Sequence, residues 1–288
     1  EWPEVSAKAF DIDAGYEDLD AAAQALACEL FLKGPDEVGI SAAGLRTIEL
    51  AEEPAGAPGG EPVAPGEVVV VSGGARGVTA EAALALAQAF KPTLLLLGRS
   101  PAPMPEPEWL ARLTSEAEIK KALAERESGL APKELEARYR AAAANREMLA
   151  NIARMERAGS TVLYRSVDAR DGAAVRQVIE EVRGAEGPVR GIVHGAGVLA
   201  DKAIAEKTEE QFDRVYGTKM GGLRALLGAV DLSQLKFAVL FSSSTGRFGR
   251  AGQVDYAMAN EALNKTARQL ARLRSQCRVV ALNWGPWE

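Results

Sequence analysis

Two stretches of the 288-residue chain gather groups able to do chemistry. In the first, Ser72-Gly73-Gly74-Ala75-Arg76-Gly77-Val78-Thr79 follows a β-branched run and opens a helix. Glycines at such a turn let the backbone approach a pyrophosphate, whose charge then rests against the N–H groups and positive dipole end of the helix. A tight turn with no ligand is the bland alternative. The spacing is Gly73-x-x-x-Gly77, with Thr79 where a third glycine often falls, so helix and strand are expected to pack slightly less closely. In the second stretch, Phe241-Ser242-Ser243-Ser244-Thr245-Gly246 is followed by Tyr256-Ala257-Met258-Ala259-Asn260. Ser243 ends a strand at the carboxyl edge, where open parallel sheets bind ligands, and Tyr256 comes thirteen positions later at the start of a helix. Tyr256 and Asn260 are i and i+4 and share a helix face. Lys219, in Thr218-Lys219-Met220-Gly221-Gly222, comes from the preceding helix. A hydroxyl, a phenol, a carboxamide and an ammonium at one sheet edge can hold a polar group and move a proton.

Three further turns add binding groups. Leu94–Leu97 leads into Gly98-Arg99-Ser100. A ribose with a free 2′-hydroxyl is usually held at this strand end by a carboxylate, whereas Arg99 beside Ser100 suits a phosphate dianion; the expected cofactor is NADPH rather than NADH. A surface arginine at a loop start is the alternative. Asp168, followed by Ala169, is placed to accept from an adenine amine, or equally to cap a helix. Gly191-Ile192-Val193-His194-Gly195-Ala196-Gly197-Val198 ends another strand with small residues that let a flat ring lie on backbone, so His194 to Gly197 join the cofactor candidates. As a catalytic group, His194, the single histidine, is less simply explained than as a packed, backbone-bonded one.

The elements that must hold these residues repeat as strand, turn, helix, the signature of an α/β, Rossmann-type doubly wound parallel sheet. Strands are expected at Val68–Val71, Leu94–Leu97, Val162–Ser166, Ile192–Val193, Ala238–Phe241 and Val279–Leu282, with a helix over Glu81–Phe90. About 60 residues separate the second and third strands, far more than one crossover helix needs. Two charged helices, Glu108–Glu127 and Pro132–Ala158, fill this helical insertion, the second with Leu135, Tyr139, Leu149, Ile152 and Met155 along one face. It reads as a solvated hairpin on the sheet edge or as a docking surface. Residues 52–67 hold four prolines and four glycines and read as a linker. Before it, KAFDID, EVGIS and LRTIEL are candidate strands and Asp18–Leu32 a helix, too small a set to stand alone.

Composition narrows the classes. With 34 basic and 40 acidic residues the net charge is −6, which argues against nucleic acid as a partner. One histidine and two cysteines give neither a metal site nor a disulfide framework, and a cytoplasmic setting is expected. No apolar run is long enough for a membrane span. The chain has no initiator methionine and reads as a piece of something longer.

The stretches VVVVSGGARGVTAE, LLLLGRS, GIVHGAGVL, the lysine of TKMGG, LFSSSTGRFGRAGQVDYAMAN and LNWGPW resemble the short-chain dehydrogenase/reductase superfamily. Within it they are most similar to ketoreductase domains of modular polyketide, polyunsaturated-fatty-acid and enediyne synthases. In those domains asparagine stands four residues after the tyrosine and the lysine comes from the earlier helix, as Asn260 and Lys219 do. The resemblance covers residues 68–288 as the catalytic NADPH-binding domain and reads 1–51 as the tail of a truncated, cofactor-free reductase-like structural subdomain. The family continues past Trp287-Glu288 into a lid helix and a last strand that this sequence does not include. The resemblance implies reduction of a β-ketoacyl thioester on an acyl carrier protein, among neighbouring synthase domains. Tyr256 would donate the proton, Lys219 would favour the phenolate, Ser243 would hold the carbonyl oxygen, and Asn260 would fix Lys219 or a water. A silent nucleotide-binding scaffold and a free-standing alcohol dehydrogenase are the competing readings. Phe248 stands where one stereochemical class has tryptophan, and Leu199-Ala200-Asp201 keeps part of the other class's Leu-Asp-Asp, which leans toward a 3R product.

Overall fold

Strands whose side chains are apolar in both directions must be covered on both faces. The computed structural model describes residues 1, 4–52, 54, 62–127 and 129–285 and divides the chain into two units, Glu1–Gly59 and Gly60–Glu288. The first unit holds β1 (Ala9–Ile12), α1 (Leu19–Leu30), β2 (Glu37–Ser41) and β3 (Gly44–Arg46). β1 and β2 pair in parallel across α1, and β3 returns antiparallel to β2. Asp18, where the sequence reading starts the helix, caps α1 by accepting from the Ala21 N–H at 2.9 Å. The strand expected over LRTIEL ends at Arg46, where Thr47 donates its hydroxyl to the Glu37 carbonyl instead of continuing the ladder.

The second unit runs β4 (Val68–Ser72), α2 (Gly77–Phe90), β5 (Thr93–Gly98), α3 (Glu108–Ala111), α4 (Glu116–Arg126), α5 (Pro132–Arg157), β6 (Thr161–Ser166), α6 (Gly172–Glu186), β7 (Val189–His194), α7 (Glu209–Tyr216), a π-helical turn (Gly217–Gly221), α8 (Gly222–Ala229), β8 (Phe237–Ser243), α9 (Ser244–Phe248), α10 (Val254–Leu273) and β9 (Arg278–Trp284). Its six strands are all parallel in the order β6-β5-β4-β7-β8-β9, so the order reverses between β4 and β7 and opens a crevice at their carboxyl ends. The expected doubly wound sheet is present. Side-chain alternation along β4 and β5 sends Val69, Val71, Leu94 and Leu96 to one core with α2 and α5, and Val68, Val70, Leu95 and Leu97 to the other with α6 and α8.

Two boundaries differ from those read in the sequence. Of the expected linker 52–67, residues 53 and 55–61 lie outside the described residues, but the stretch from residue 62 is part of the second unit. There Val63 is fully buried in the core, the Gly66 N–H donates to the Lys91 carbonyl, and Glu67 holds Lys236 at 2.7 Å. The helical insertion breaks after Ala111 because Ser115 and Glu118 form a reciprocal capping box that starts α4 afresh. Nor is the insertion only a solvated hairpin. Met148 and Met155 of α5 are buried against α2, while Leu135 and Tyr139 pack on the small α3–α4 cluster of Leu110, Ile119 and Leu123.

Candidate active site

At the crevice between β4 and β7, a cavity of about 330 Å³ is lined by Gly73, Ala75, Arg76, Arg99, Ser100, Asp168, Ala169, Gly195, Ala196 and Gly197. Residues read from four separate turns therefore meet in one place. Gly73 has φ +77, and a Cβ there would stand 3.1 Å from the Ala196 amide nitrogen, so only glycine closes the turn this tightly. Thr79 is accommodated from the other side: a Cβ on Gly195 would collide with the Thr79 hydroxyl, so the room given up by one missing glycine is returned by another. The expectation of looser packing at Thr79 is thus corrected.

Some candidates stand back from the cavity. Gly77 donates its N–H to Glu147 Oε1 at 2.8 Å, and Val78 packs toward the α2 core. His194, 1 % exposed, lies behind the cavity rather than in it. Register pairs it with Ser72. Its Nε2 donates to the Lys219 carbonyl at 2.8 Å, because a carbonyl can only accept, and Nδ1 then accepts from the Ser72 hydroxyl at 2.7 Å. Burial, with the Lys219 charge adding to it, pushes its pKa down to about 4, so the ring is a neutral crosslink between two turns. Gly195, Ala196 and Gly197 of the same turn line the cavity, and the His194 ring does not. Asp168 lines the cavity, but its carboxylate is gripped by Arg170 through three N–H groups, and this hydrogen bonding holds its pKa below the usual value.

A second cavity, of about 390 Å³, is lined by Ser243, Tyr256, Leu199, Phe248 and Gln253, among others. Ser243 ends β8 as the cap of α9, accepting from the Thr245 N–H at 3.1 Å, which leaves its own O–H to donate. Lys219 is carried on the π-helical turn between α7 and α8, where the extra residue in the turn redirects a side chain that regular helix would aim elsewhere. Its stem passes beneath Gly197, whose Cβ would come within 3.3 Å of Lys219 Cε. Nζ donates to the Phe241 carbonyl at 2.8 Å and sits 5.3 Å from the centre of the Tyr256 ring. Burial lowers the Lys219 pKa to about 8. Asn260 donates to the Tyr256 carbonyl at 2.8 Å rather than reaching Lys219, and its buried Oδ1 has no hydrogen-bond partner among the described residues.

The sequence reading missed several neighbours. Tyr164 lines the first cavity and donates to the Ser100 carbonyl at 2.7 Å. Thr218 lines it too, and adjacency to Lys219 was the available signal. Glu147 and Asn151 of α5 hold the Gly-rich turn through Arg76 Nε, the Gly77 N–H and the Ala75 carbonyl, contacts 70 to 76 residues apart in sequence that no local pattern announces.

The KR domain family matches residues 67–288, which include every residue of both cavities. The chain belongs to the KR domain family. This KR domain is 38% identical over 264 residues to one of the polyunsaturated fatty acid synthase subunits of Thraustochytrium sp., a match covering 88% of the chain and 9% of that protein. Polyketide synthase PksL of Bacillus subtilis is 37% identical over 110 residues, 38% of the chain and 2% of PksL. Among solved structures, the ketoreductase PlmKR1 from the first module of phoslactomycin biosynthesis in Streptomyces sp. HK803 superposes with a TM-score of 0.72 at 26% identity, over 97% of this chain and 54% of that one. The KR domain also shares the short-chain dehydrogenase/reductase fold with a putative short chain dehydrogenase from Escherichia coli CFT073, at TM-score 0.56 over 78% of this chain and 82% of that one. The chain thus spans less than a tenth of these curated relatives and about half of PlmKR1.

Proposed function

We propose that this KR domain reduces a β-ketoacyl thioester, presented by an acyl carrier protein of a cytoplasmic multidomain synthase, to the β-hydroxyacyl thioester with NADPH. The observation that carries the proposal is that Ser243 and Tyr256 line one cavity with the buried Lys219 ammonium 5.3 Å from the Tyr256 ring. The adjoining crevice fits a dinucleotide: Gly73 leaves no Cβ between Ala196 and the turn, and Arg99, Arg76 and Ser100 offer donors suited to a 2′-phosphate. NADPH, when bound, supplies the hydride.

The chain supplies the rest. Ser243 donates its free O–H to the ketone oxygen and so fixes which carbonyl is polarised. Tyr256 gives up its phenolic proton to that oxygen as negative charge develops there. Lys219, protonated at neutral pH, stabilises the phenolate that remains, and the Phe241 carbonyl holds Nζ in place while it does so. Asn260 anchors the first turns of α10 through the Tyr256 carbonyl.

NADPH consumption with a simple β-ketoacyl thioester tests the reading, since a silent scaffold binds the dinucleotide and consumes none. Tyr256→Phe is expected to keep NADPH affinity within about twofold and to lose more than nine-tenths of turnover, a barrier increase above ~1.4 kcal/mol. A variant that keeps most of its turnover would remove Tyr256 as the proton donor.

A further inference from the structure

Lys207 and Asp255 play no part in the chemistry above, yet they form an ion pair whose side chains are only 4% and 1% exposed. A buried pair of this kind is weak as a source of stability, because apolar residues of similar volume often serve as well. What this pair has instead is position. Lys207 Nζ donates to Asp255 Oδ2 at 2.8 Å and to the Ala200 carbonyl at 2.6 Å. The other oxygen, Asp255 Oδ1, accepts the backbone N–H of Tyr256 at 2.9 Å. A continuous set of directional bonds therefore runs from the Leu199–Asp201 segment, through two buried charges, to the residue read as proton donor.

Two more bonds run beside it. The Lys202 N–H donates to the Gly252 carbonyl at 2.9 Å, and Gln253 Nε2 donates to Asp201 Oδ2 at 2.9 Å. Together they join the loop after β7 to the start of α10. Leu199 lines the second cavity from the loop, Tyr256 from α10 and Gln253 from the cap position just before it. An apolar contact at Lys207 and Asp255 would fill the same space, but it would let the helix turn and the loop slide. Charged hydrogen bonds fix angles as well as distance.

We infer that Lys207 and Asp255 are positioning residues that lock the Tyr256 turn of α10 against the Leu199–Asp201 wall, and so set the placement of the phenol relative to the ketone. The inference rests on the ketoreductase reading for its effect on rate, and on the geometry alone for its effect on the loop. A displacement of about 1 Å at a reacting group can cost on the order of a hundredfold in rate.

The test compares wild type with K207M/D255L, which replaces both charges by apolar side chains and leaves neither charge unpaired. The expected result is an unfolding midpoint near that of wild type, NADPH affinity within about twofold, and kcat at least about tenfold lower with a smaller change in KM. Hydrogen–deuterium exchange should accelerate in residues 199–207 and 252–258 and stay unchanged in β4 and β5. Wild-type kcat together with wild-type exchange in those segments would overturn the inference. If the double variant does not fold, K207R, which keeps the charge and changes the geometry, is expected to lower kcat without moving the unfolding midpoint; full activity in K207R would then overturn it. If wild type itself reduces no ketone, the ketoreductase reading fails, and the exchange comparison alone decides whether the pair locks the loop.

Discussion

Lys219 carries a burial cost that the proposed mechanism would turn to use. Burial lowers its pKa from 10.5 to about 8, which corresponds to about 3 kcal/mol spent on holding an ammonium out of water. Between pH 8 and the unfolded value near 10.4 the unfolded chain binds more protons than the folded one, so this cost is fully present below pH 8 and is relieved as pH rises. Activity runs the opposite way. Under the proposed mechanism the Lys219 ammonium steadies the phenolate and is lost above pH 8, so kcat/KM is expected to fall as pH rises through about 8. Lys219→Met should raise the unfolding midpoint by several degrees at pH 7 and abolish reduction, measurable by calorimetry and NADPH consumption. A fall in midpoint would mean that the bond to the Phe241 carbonyl outweighs the burial cost. Arg99 is a separate matter, since it is exposed at the cavity edge near Asp168. Arg99→Ala should weaken NADPH by roughly 1.5–3 kcal/mol and leave NADH nearly unchanged in binding titrations, because only NADPH carries the 2′-phosphate. Equal losses would assign Arg99 to the adenine or to the loop.

Elements were legible in the sequence where their signal was local. The β-branched run Val68–Val71, the glycines after it, and Tyr256 with Asn260 on one helix face each occupy a few consecutive residues, and the structure places them as their spacing predicts. The signals that failed were of two kinds. The insertion read as a solvated hairpin on the sheet edge or a docking surface because its helices are charged, yet the buried stripe of α5 is carried by Met148, Asn151 and Met155, and its partners lie in α2 and the Gly-rich turn. Lys219 was found by its motif, but the π-helical turn that aims it has no composition of its own beyond the glycines at Gly217, Gly221 and Gly222. The loop after β7 and the short helix α9 carry the stereochemical expectation. Leu199 is 57% exposed and Phe248 68% exposed, and both line the second cavity, from the loop and from α9 respectively. Asp201, the retained aspartate, is tied to Gln253 at 2.9 Å, so the loop wall is fixed while Phe248 has room to yield. An acyl chain guided along the fixed wall should give mainly the 3R alcohol, and ~1.4 kcal/mol between the two approaches is enough for about tenfold selectivity. Chiral chromatography of the product from a carrier-bound substrate reads this directly; a mainly 3S product would mean that Phe248 acts as the tryptophan of the other class does.

At the scale of the whole molecule, the question is where the folded catalytic unit begins. Proline and glycine density placed the boundary at residue 68, because backbone composition is all that a linker shows in sequence. The residues just before β4 nonetheless belong to the sheet. Val63 is fully buried among Val69, Val71, Ala83 and Leu94, and the Glu67 carbonyl accepts from Thr93 at the start of β5. The Glu67 carboxylate binds Lys236 at 2.7 Å and the Ala64 N–H at 2.8 Å, and these bonds, with Arg190 nearby, hold its pKa below the usual value despite the opposing effect of burial. A chain starting at residue 62 keeps all of this, whereas a chain starting at residue 68 exposes the core surface that Val63 covers and leaves the Thr93 N–H without its acceptor. Losing a buried valine and two backbone hydrogen bonds, Gly66 to Lys91 and Thr93 to Glu67, costs on the order of 3–4 kcal/mol. At roughly 2–4 °C per kcal/mol for a unit of this size, 68–288 should melt some 5–15 °C below 62–288. Both fragments should still bind NADPH at 15 °C, because no residue lining either cavity is removed. Equal melting midpoints would show that Val63 and Glu67 rest on the sheet without supporting it, and would return the boundary to residue 68.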